Sequence, residues 1–306
     1  MQKNTVTVII PMHNGEKYIS RCIESILNQS YKNLEILIID DNSDDSSAEI
    51  IKKYMQQIDN ITYIKNEHTL GPANSRNIGI QHTKTEYVLF LDCDDWIDLN
   101  CLEKAVEKFD SEYDIDVVIW EIKTAFYHSK TSTRYEYLYN NVLTGSMALS
   151  LLSHTIENEF FLSPLLGCKL IRKSLLDTHK IVFPDTIYED DMFTYLTFMY
   201  AKKVALITGS CLYYYQHPES LTHHFKEKNI IDFFKTFQML YNYVDNDQKE
   251  SYYKFLDKSL KAMLNNMINT TQNPDMQSYY KSLIFKYFYQ NIKVEEYYTY
   301  SFSLTI

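Results

Sequence analysis

The first third of the chain alternates short apolar runs with amphipathic stretches. Residues 5–10 form a β-branched run that Pro11 stops, which predicts a buried strand. Ile19, Ile23, Ile26 and Leu27 then recur at helical spacing, predicting a helix over roughly residues 16–29. Residues 34–39 read as a second strand, and Ile50, Ile51, Tyr54, Met55 and Ile58 as the next helix, with Ser46 or Ser43 as its N-cap. A third strand at 61–64 follows. Gly71-Pro72 then breaks the chain ahead of a short helix through Arg76, Asn77 and Ile80. Residues 87–91 are apolar without interruption, the pattern of a strand covered on both faces. A helix near 100–109 and a strand at 115–120 close the series.

Such alternation predicts a doubly wound α/β sheet that is mainly parallel, flanked by helices and joined by right-handed crossovers. A different pattern begins near residue 229. Ile230, Phe233, Phe234, Phe237, Leu240 and Tyr241 keep a helical period, as do Tyr253, Leu256, Leu260, Met263, Leu264 and Met267. A third segment, 279–289, mixes aromatic and aliphatic residues with Lys281 and Lys286. The first two stripes read as the packed core of a helical region. The third fits equally an interfacial surface where lysines snorkel beside aromatics.

Composition narrows the class. The 306 residues suffice for one large domain with an appendage, or for two domains. No apolar stretch approaches the roughly 20 residues of a membrane span, and the N-terminus lacks an apolar signal core. The five cysteines (Cys22, Cys93, Cys101, Cys168 and Cys211) are scattered and never form a Cys-x-x-Cys pair, which fits a reducing cytoplasm. Residues 1–225 carry 20 Lys and Arg against 31 Asp and Glu, whereas residues 226–306 carry 10 against 9. The acidic body disfavours nucleic acid, whose binding depends on phosphate neutralisation. It also predicts that a phosphorylated ligand needs a cation to offset the protein's charge.

Chemistry concentrates at the predicted strand ends. The first ends in Pro11-Met12-His13-Asn14, the second in Asp40-Asp41-Asn42-Ser43 and the fourth in Asp92-Cys93-Asp94-Asp95. Ligands of open α/β sheets bind beyond these carboxyl ends. Clustered carboxylates repel unless a cation or a shared proton intervenes, and a hard divalent ion with oxygen ligands would also grip phosphate. The alternative is a solvated acid turn. Residues 13–17 do not form Gly-x-Gly-x-x-Gly, and no phosphate-cradling Gly-x-x-x-x-Gly-Lys-Ser/Thr loop occurs, which argues against dehydrogenases and P-loop NTPases.

The ordered series Thr7-Val8-Ile9-Ile10-Pro11-Met12-His13-Asn14, Gln29-Ser30-Tyr31, Asp40-Asp41-Asn42-Ser43, Gly71-Pro72-Ala73-Asn74-Ser75-Arg76-Asn77 and Asp92-Cys93-Asp94-Asp95 resembles family-2 glycosyltransferases. The likeness resumes at Tyr188-Glu189-Asp190-Asp191-Met192-Phe193 and at residues 213–222. The resemblance implies the GT-A (Rossmann-like) fold over residues 1–225, with a nucleotide-binding half at 1–110, an acceptor half at 111–225 and a C-terminal helical region at 226–306. It implies an inverting enzyme that moves a hexose or N-acetylhexosamine from a UDP-sugar to a glycan or glycolipid hydroxyl of a bacterial surface polymer. Mn²⁺ or Mg²⁺ would be the cofactor. The rival is a non-catalytic GT-A-like scaffold that binds nucleotide sugar.

Carried over residue by residue, the resemblance puts Pro11 and His13 at the base and ribose and gives Asp41 the uracil. Arg76 falls near the base or diphosphate, or else in a helix-surface salt bridge. Asp94 becomes the direct metal ligand, and Asp92 reaches the ribose, or the metal through water. Asp95 either caps the following helix or touches ligand, Cys93 only packs, and Glu16 only starts the first helix. Asp190 is the catalytic base, with Glu189 and Asp191 as its neighbours and Asp191 as the alternative base. Lys169, in a segment resembling capsule and lipooligosaccharide transferases, reaches donor phosphates or acceptor, or else lies on a solvated basic helix face. His217 reaches the diphosphate or metal, or else is a turn residue. Expected partners are the UDP-sugar donor and the glycan acceptor, with no nucleic acid. The inner face of the cell membrane, peripheral membrane contact through the C-terminal helices and homo-oligomer formation stay open.

Overall fold

The computed structural model describes residues 2–126, 129–133, 141–153, 162–217 and 225–300. Ser220 and the rest of the motif at 218–222, with the middle of the Tyr-rich stretch 123–145, lie outside the described residues. The chain divides into two compact units. The first comprises Met1–Ser146, Leu165–Asp185 and Leu196–Gln216, the second Met147–Pro164, Thr186–Tyr195 and His217–Ile306.

The first unit is built on one sheet of ten strands among the described residues. They are β1 (Gln2–Met12), β2 (Leu34–Asp40), β3 (Ile61–Lys65), β4 (Thr85–Phe90), β5 (Trp96–Ile97), β6 (Ile115–Phe126), β7 (Ser129–Thr133), β8 (Val142–Thr144), β9 (Lys169–Arg172) and β10 (Lys203–Gln216). The main order is β3-β2-β1-β4-β9-β6-β10-β5, with β7 beside β6 and β8 beside β10. β3, β2, β1 and β4 are all parallel, and β9 runs antiparallel between β4 and β6. The sheet is therefore mixed and mainly parallel, as the alternation predicts. Val6, Val8, Ile9 and Ile10 of β1 and Val88 and Leu89 of β4 are fully buried, because helices cover both faces.

Those helices are α1 (Ile19–Leu27), α2 (Ser47–Met55), α3 (Pro72–His82), α4 (Cys101–Ser111) and α6 (Lys173–His179). α1 buries Ile19, Cys22, Ile23 and Ile26 on one stripe. α3 crosses β1 closely at Gly79, where an added Cβ would lie 2.4 Å from Ile9 Cγ2. One expectation fails at α2. Ser46 is the N-cap residue but its side chain makes no cap, and Ser43 is engaged elsewhere. Asp45 takes the role instead, its Oδ1 accepting from Ser47 N at 3.0 Å.

α5 (Gly145–Leu152) runs into the second unit, and α7 (Glu189–Tyr200) begins in it. That unit is otherwise helical: α8 (Glu227–Tyr241), α9 (Lys249–Thr270), α10 (Pro274–Asn291) and α11 (Val294–Tyr300). Phe233, Phe234 and Phe237 of α8 and Leu256, Leu260 and Met267 of α9 are fully buried. At about 1.5–3 kcal/mol per buried apolar side chain, these stripes are core. α10 buries Tyr280, Ile284 and Phe288 while leaving Tyr279, Phe285 and Tyr289 exposed. Among the described residues no helix is long and apolar enough to cross a membrane.

Candidate active site

In the first unit three turns, two of them acid-rich, leave the sheet on one side. β1 aligns Met12 with Asp40 of β2, and Ile9 with Phe90 of β4, so residues 11–14, 40–43 and 92–95 emerge together. Pro11 is buried within β1 and His13 is exposed just beyond it, its Nδ1 2.8 Å from the Asp41 carbonyl oxygen. Asn14 and Asn42 adopt left-handed φ values of 52° and 62°, a conformation that asparagine tolerates better than most residues. The turns are cross-linked. Asn14 N donates to Ser43 Oγ at 3.0 Å, and Asp44 N to Asn14 Oδ1 at 3.0 Å. Glu16 does more than start a helix, since its Oε2 accepts from Ser46 N at 3.0 Å.

Asp41 is held from three directions. Its Oδ1 accepts from Leu70 N at 2.8 Å and Asn66 Nδ2 at 2.9 Å, and its Oδ2 from Gly71 N at 2.8 Å. Gly71, at φ 87°, makes the bend that turns two successive amides toward this carboxylate before Pro72 starts α3. Such a buried acceptor is fixed in place, with its remaining lone pairs aimed by the loop rather than by rotamer choice. Asp40 is also engaged, by Tyr63 Oη and by Ser43 N at 2.8 Å.

The Asp92–Asp95 turn is partly neutralised by arginine. Arg76 is 5% exposed and donates to Asp92 Oδ1 at 2.7 Å, a part-buried ion pair in place of the helix-surface salt bridge. Arg21 donates to the Asp94 carbonyl oxygen at 2.7 Å while its guanidinium carbon lies 3.8 Å from the Trp96 ring centre and 4.3 Å from that of Tyr215. Asp95 does not cap α4. It is 3% exposed, and its Oδ1 accepts from Tyr215 N at 2.8 Å. Burial, reinforced by the charges of Asp94 and Asp92, pushes its carboxyl well above the usual carboxylate range. Cys93 packs, its Sγ 3.2 Å from where a Cβ on Gly15 would stand.

Lys169 opens β9 rather than lying on a solvated helix face, is 1% exposed, and donates to the Leu165 carbonyl oxygen. The four-residue strand Lys-Leu-Ile-Arg is too short for periodicity to declare it.

In the second unit Glu189, Asp190 and Asp191 form the first turn of α7, where the helix dipole favours acids. Glu189 and Asp191 are buried at 7% and 8% exposure, while Asp190 is half-buried. Asp190 Oδ1 accepts from Asp191 N at 2.9 Å. Burial, with the Asp190 charge adding to it, drives the Asp191 carboxyl upward, and the Ser259 hydroxyl and the Lys258 charge oppose this. His217 is buried at 7% exposure directly after β10. Arg21, Asn66, Lys258 and Ser259 were not singled out in the sequence. Each meets its acid across a long separation that no local spacing signals.

The model of glycosyl transferase family 2 matches residues 7–177, more than half of the chain, and the chain is a member of that family. It is 37% identical over 144 residues to glycosyltransferase GlyA of Streptococcus pneumoniae serotype 4, covering 45% of this chain and 20% of that protein. It is 31% identical over 216 residues to poly(ribitol-phosphate) beta-glucosyltransferase of Bacillus spizizenii, covering 69% of this chain and 32% of the relative. The chain thus spans a third or less of the length of these two relatives. The crystal structure of S. aureus TarS 1-349 in complex with UDP-GlcNAc superposes with a TM-score of 0.76 at 20% identity. The match covers 95% of this chain and 82% of that one, a likeness of GT-A fold.

Proposed function

We propose that the chain is a metal-dependent inverting transferase that moves a hexose or N-acetylhexosamine from a UDP-sugar to a hydroxyl of a bacterial surface glycan. The observation that carries this reading is the turn at 92–95 beside the immobilised Asp41, on one edge of a parallel sheet. The names of the relatives, a poly(ribitol-phosphate) glucosyltransferase among them, and a UDP-GlcNAc complex of the same fold support the donor and acceptor class. Residues 1–225 would carry donor and acceptor recognition, and the helices of 226–306 would support them on the inner face of the membrane.

The donor set fits a hard divalent cation. Burial, with the charges of Asp94 and Asp92 added, disfavours the charge of Asp95, and Arg76 answers the Asp92 carboxylate. Among the described residues no three or more His, Cys, Asp or Glu side chains form a ready ligand cage. Mg²⁺ or Mn²⁺ ordinarily takes one or two carboxylates and completes its sphere with water and substrate phosphate. Asp94, with Asp92 through water, would hold the ion, which when bound offsets charge on the departing diphosphate. Asp41 would orient the uracil, with Pro11 and His13 at the base and ribose, and Lys169 and His217 as contacts to phosphate or acceptor. Asp190, the most accessible acid of its turn, would take the proton from the acceptor hydroxyl.

The reading is tested by UDP release from a panel of UDP-sugars and by thermal shift with UDP, with and without Mn²⁺. UDP should stabilise the protein more when Mn²⁺ is present. Equal stabilisation with and without the metal would sink the metal assignment, and no turnover of any UDP-sugar would sink the donor assignment.

A further inference from the structure

The mechanism above leaves Lys258 without a purpose, although it is a mostly buried cation. Its Nζ donates to the Leu152 carbonyl oxygen at the end of α5, at 2.6 Å. The charge acting on it is that of Asp191, and burial lowers its own pKa to about 8. The next residue, Ser259, is itself buried and hydrogen-bonds the Asp191 carboxyl. Two consecutive residues of α9 therefore serve one carboxylate on α7, and that carboxylate is the neighbour of Asp190.

The segment leading into α7 is gripped in the same way by α8. Ile187 N donates to Asp232 Oδ2 at 3.1 Å, and the hydroxyls of Thr186 and Thr236 lie 2.7 Å apart. The Tyr188 ring meets Phe233 edge-on at 5.3 Å, and about two turns further on Tyr195 of α7 lies 5.4 Å from Phe255 of α9. A first helical turn lacks upstream partners for its amides and frays unless side chains restrain it. Here the restraint comes from the C-terminal helices and bears on the acid turn.

Resting on the reading of Asp190 as base, we propose that Lys258 and Ser259 are positioning residues: by anchoring Asp191 they fix the first turn of α7 and with it the Asp190 carboxylate. Asp191 is thereby removed as a rival base, because its carboxyl is buried and already committed. The helical region then belongs to the machinery of proton transfer as well as to the core. A misplacement of roughly 1 Å imposed from outside the chemistry can cost about 10²-fold in rate.

The test measures UDP release from UDP-GlcNAc and UDP-glucose, with water as acceptor, together with UDP affinity. The proteins are the wild type, Lys258→Met, Lys258→Arg, Ser259→Ala, Ser259→Thr and Asp190→Asn. Lys258→Met should lower kcat by about 10²-fold and Ser259→Ala by about 10-fold, with the UDP-sugar KM and UDP affinity held within about twofold. Arg at 258 and Thr at 259 should recover most of the loss. If kcat is unchanged in both loss variants while Asp190→Asn is inactive, the anchoring role is wrong and the base assignment stands. If kcat and UDP affinity fall together and the conservative variants rescue neither, the pair serves stability alone and the inference is overturned. If Asp190→Asn stays active, the base assignment itself fails and takes the inference with it.

Discussion

The molecule carries two acid triplets, one at a strand end and one at a helix start, and both divide their labour alike. In Asp92-Cys93-Asp94-Asp95 the last acid is buried and bonded to backbone, while the two before it stay partly exposed. In Glu189-Asp190-Asp191 the last acid is again buried and bonded, while Asp190 stays accessible. The cations differ in kind. The strand-end triplet is met by Arg21 and Arg76, which cannot lose their protons and which reach a carbonyl and a carboxylate. The helix-start triplet is met by Lys258, which burial brings to about 8. The strand-end turn is thus met by fixed charge, and the helix-start turn by a group that titrates. Within each triplet the last carboxylate is buried and hydrogen-bonded.

The sharpest way to break this comparison is Asp190→Asn. Transfer should fall by about 10²–10⁴-fold, the usual contribution of a general base, while UDP affinity measured by calorimetry stays put. Equal loss in Asp191→Asn with an unfolded-like thermal profile would not rescue the rival assignment, but full activity of Asp190→Asn would end this one. Next in size is Asp94→Asn, which should remove the Mn²⁺-dependent part of the UDP thermal shift while leaving the metal-free part. Persistence of the metal-dependent part would move the ion elsewhere. Arg76→Met should weaken UDP by about 10-fold, because it frees Asp92 from a charge-assisted hydrogen bond that is ordinarily worth about 1.5–3 kcal/mol.

The smallest effect concerns pH, and its sign separates stability from activity. The folded pKa of Lys258 lies below its unfolded value of about 10.4, so between about 8 and 10.4 the unfolded chain holds more protons at this site. Stability contributed by Lys258 should therefore rise with pH across that window, relative to Lys258→Met, in denaturant titrations. Activity should move the other way, since the proton lost near pH 8 is the one that answers Asp191. Among the groups facing Lys258 are Asp191 on α7 and the Leu152 carbonyl on α5. A wild-type and a Lys258→Arg enzyme with the same alkaline limb would refute the link.

Much of the sheet half was legible because its signals are local. A β-branched run followed by Pro11 and an apolar run ending in Asp92 declare buried strands and where they stop. The same runs place three turns, two of them acid-rich, on one edge, as the parallel registers of β1, β2 and β4 have them. What stayed hidden depends on partners far along the chain. Asp41 is held by Leu70 and Gly71, 29 and 30 residues away, through amides that every residue type but proline possesses. Lys258 reads in sequence as one more helical lysine until its half-buried place and the Leu152 carbonyl single it out. β9 was missed because four residues are too few to set a period, and its antiparallel place between β4 and β6 leaves no trace in them.

Gly79 gives the sheet edge a dimension. Its missing methyl lets α3 lie against Ile9 at a separation that a Cβ at 2.4 Å would forbid. Arg76 stands three residues earlier on the same helical face. The clearance between helix and strand thus sets how far its guanidinium reaches toward Asp92. Gly79→Ala would act as a shim under the helix, lifting Arg76 from its partner without altering a single charged group.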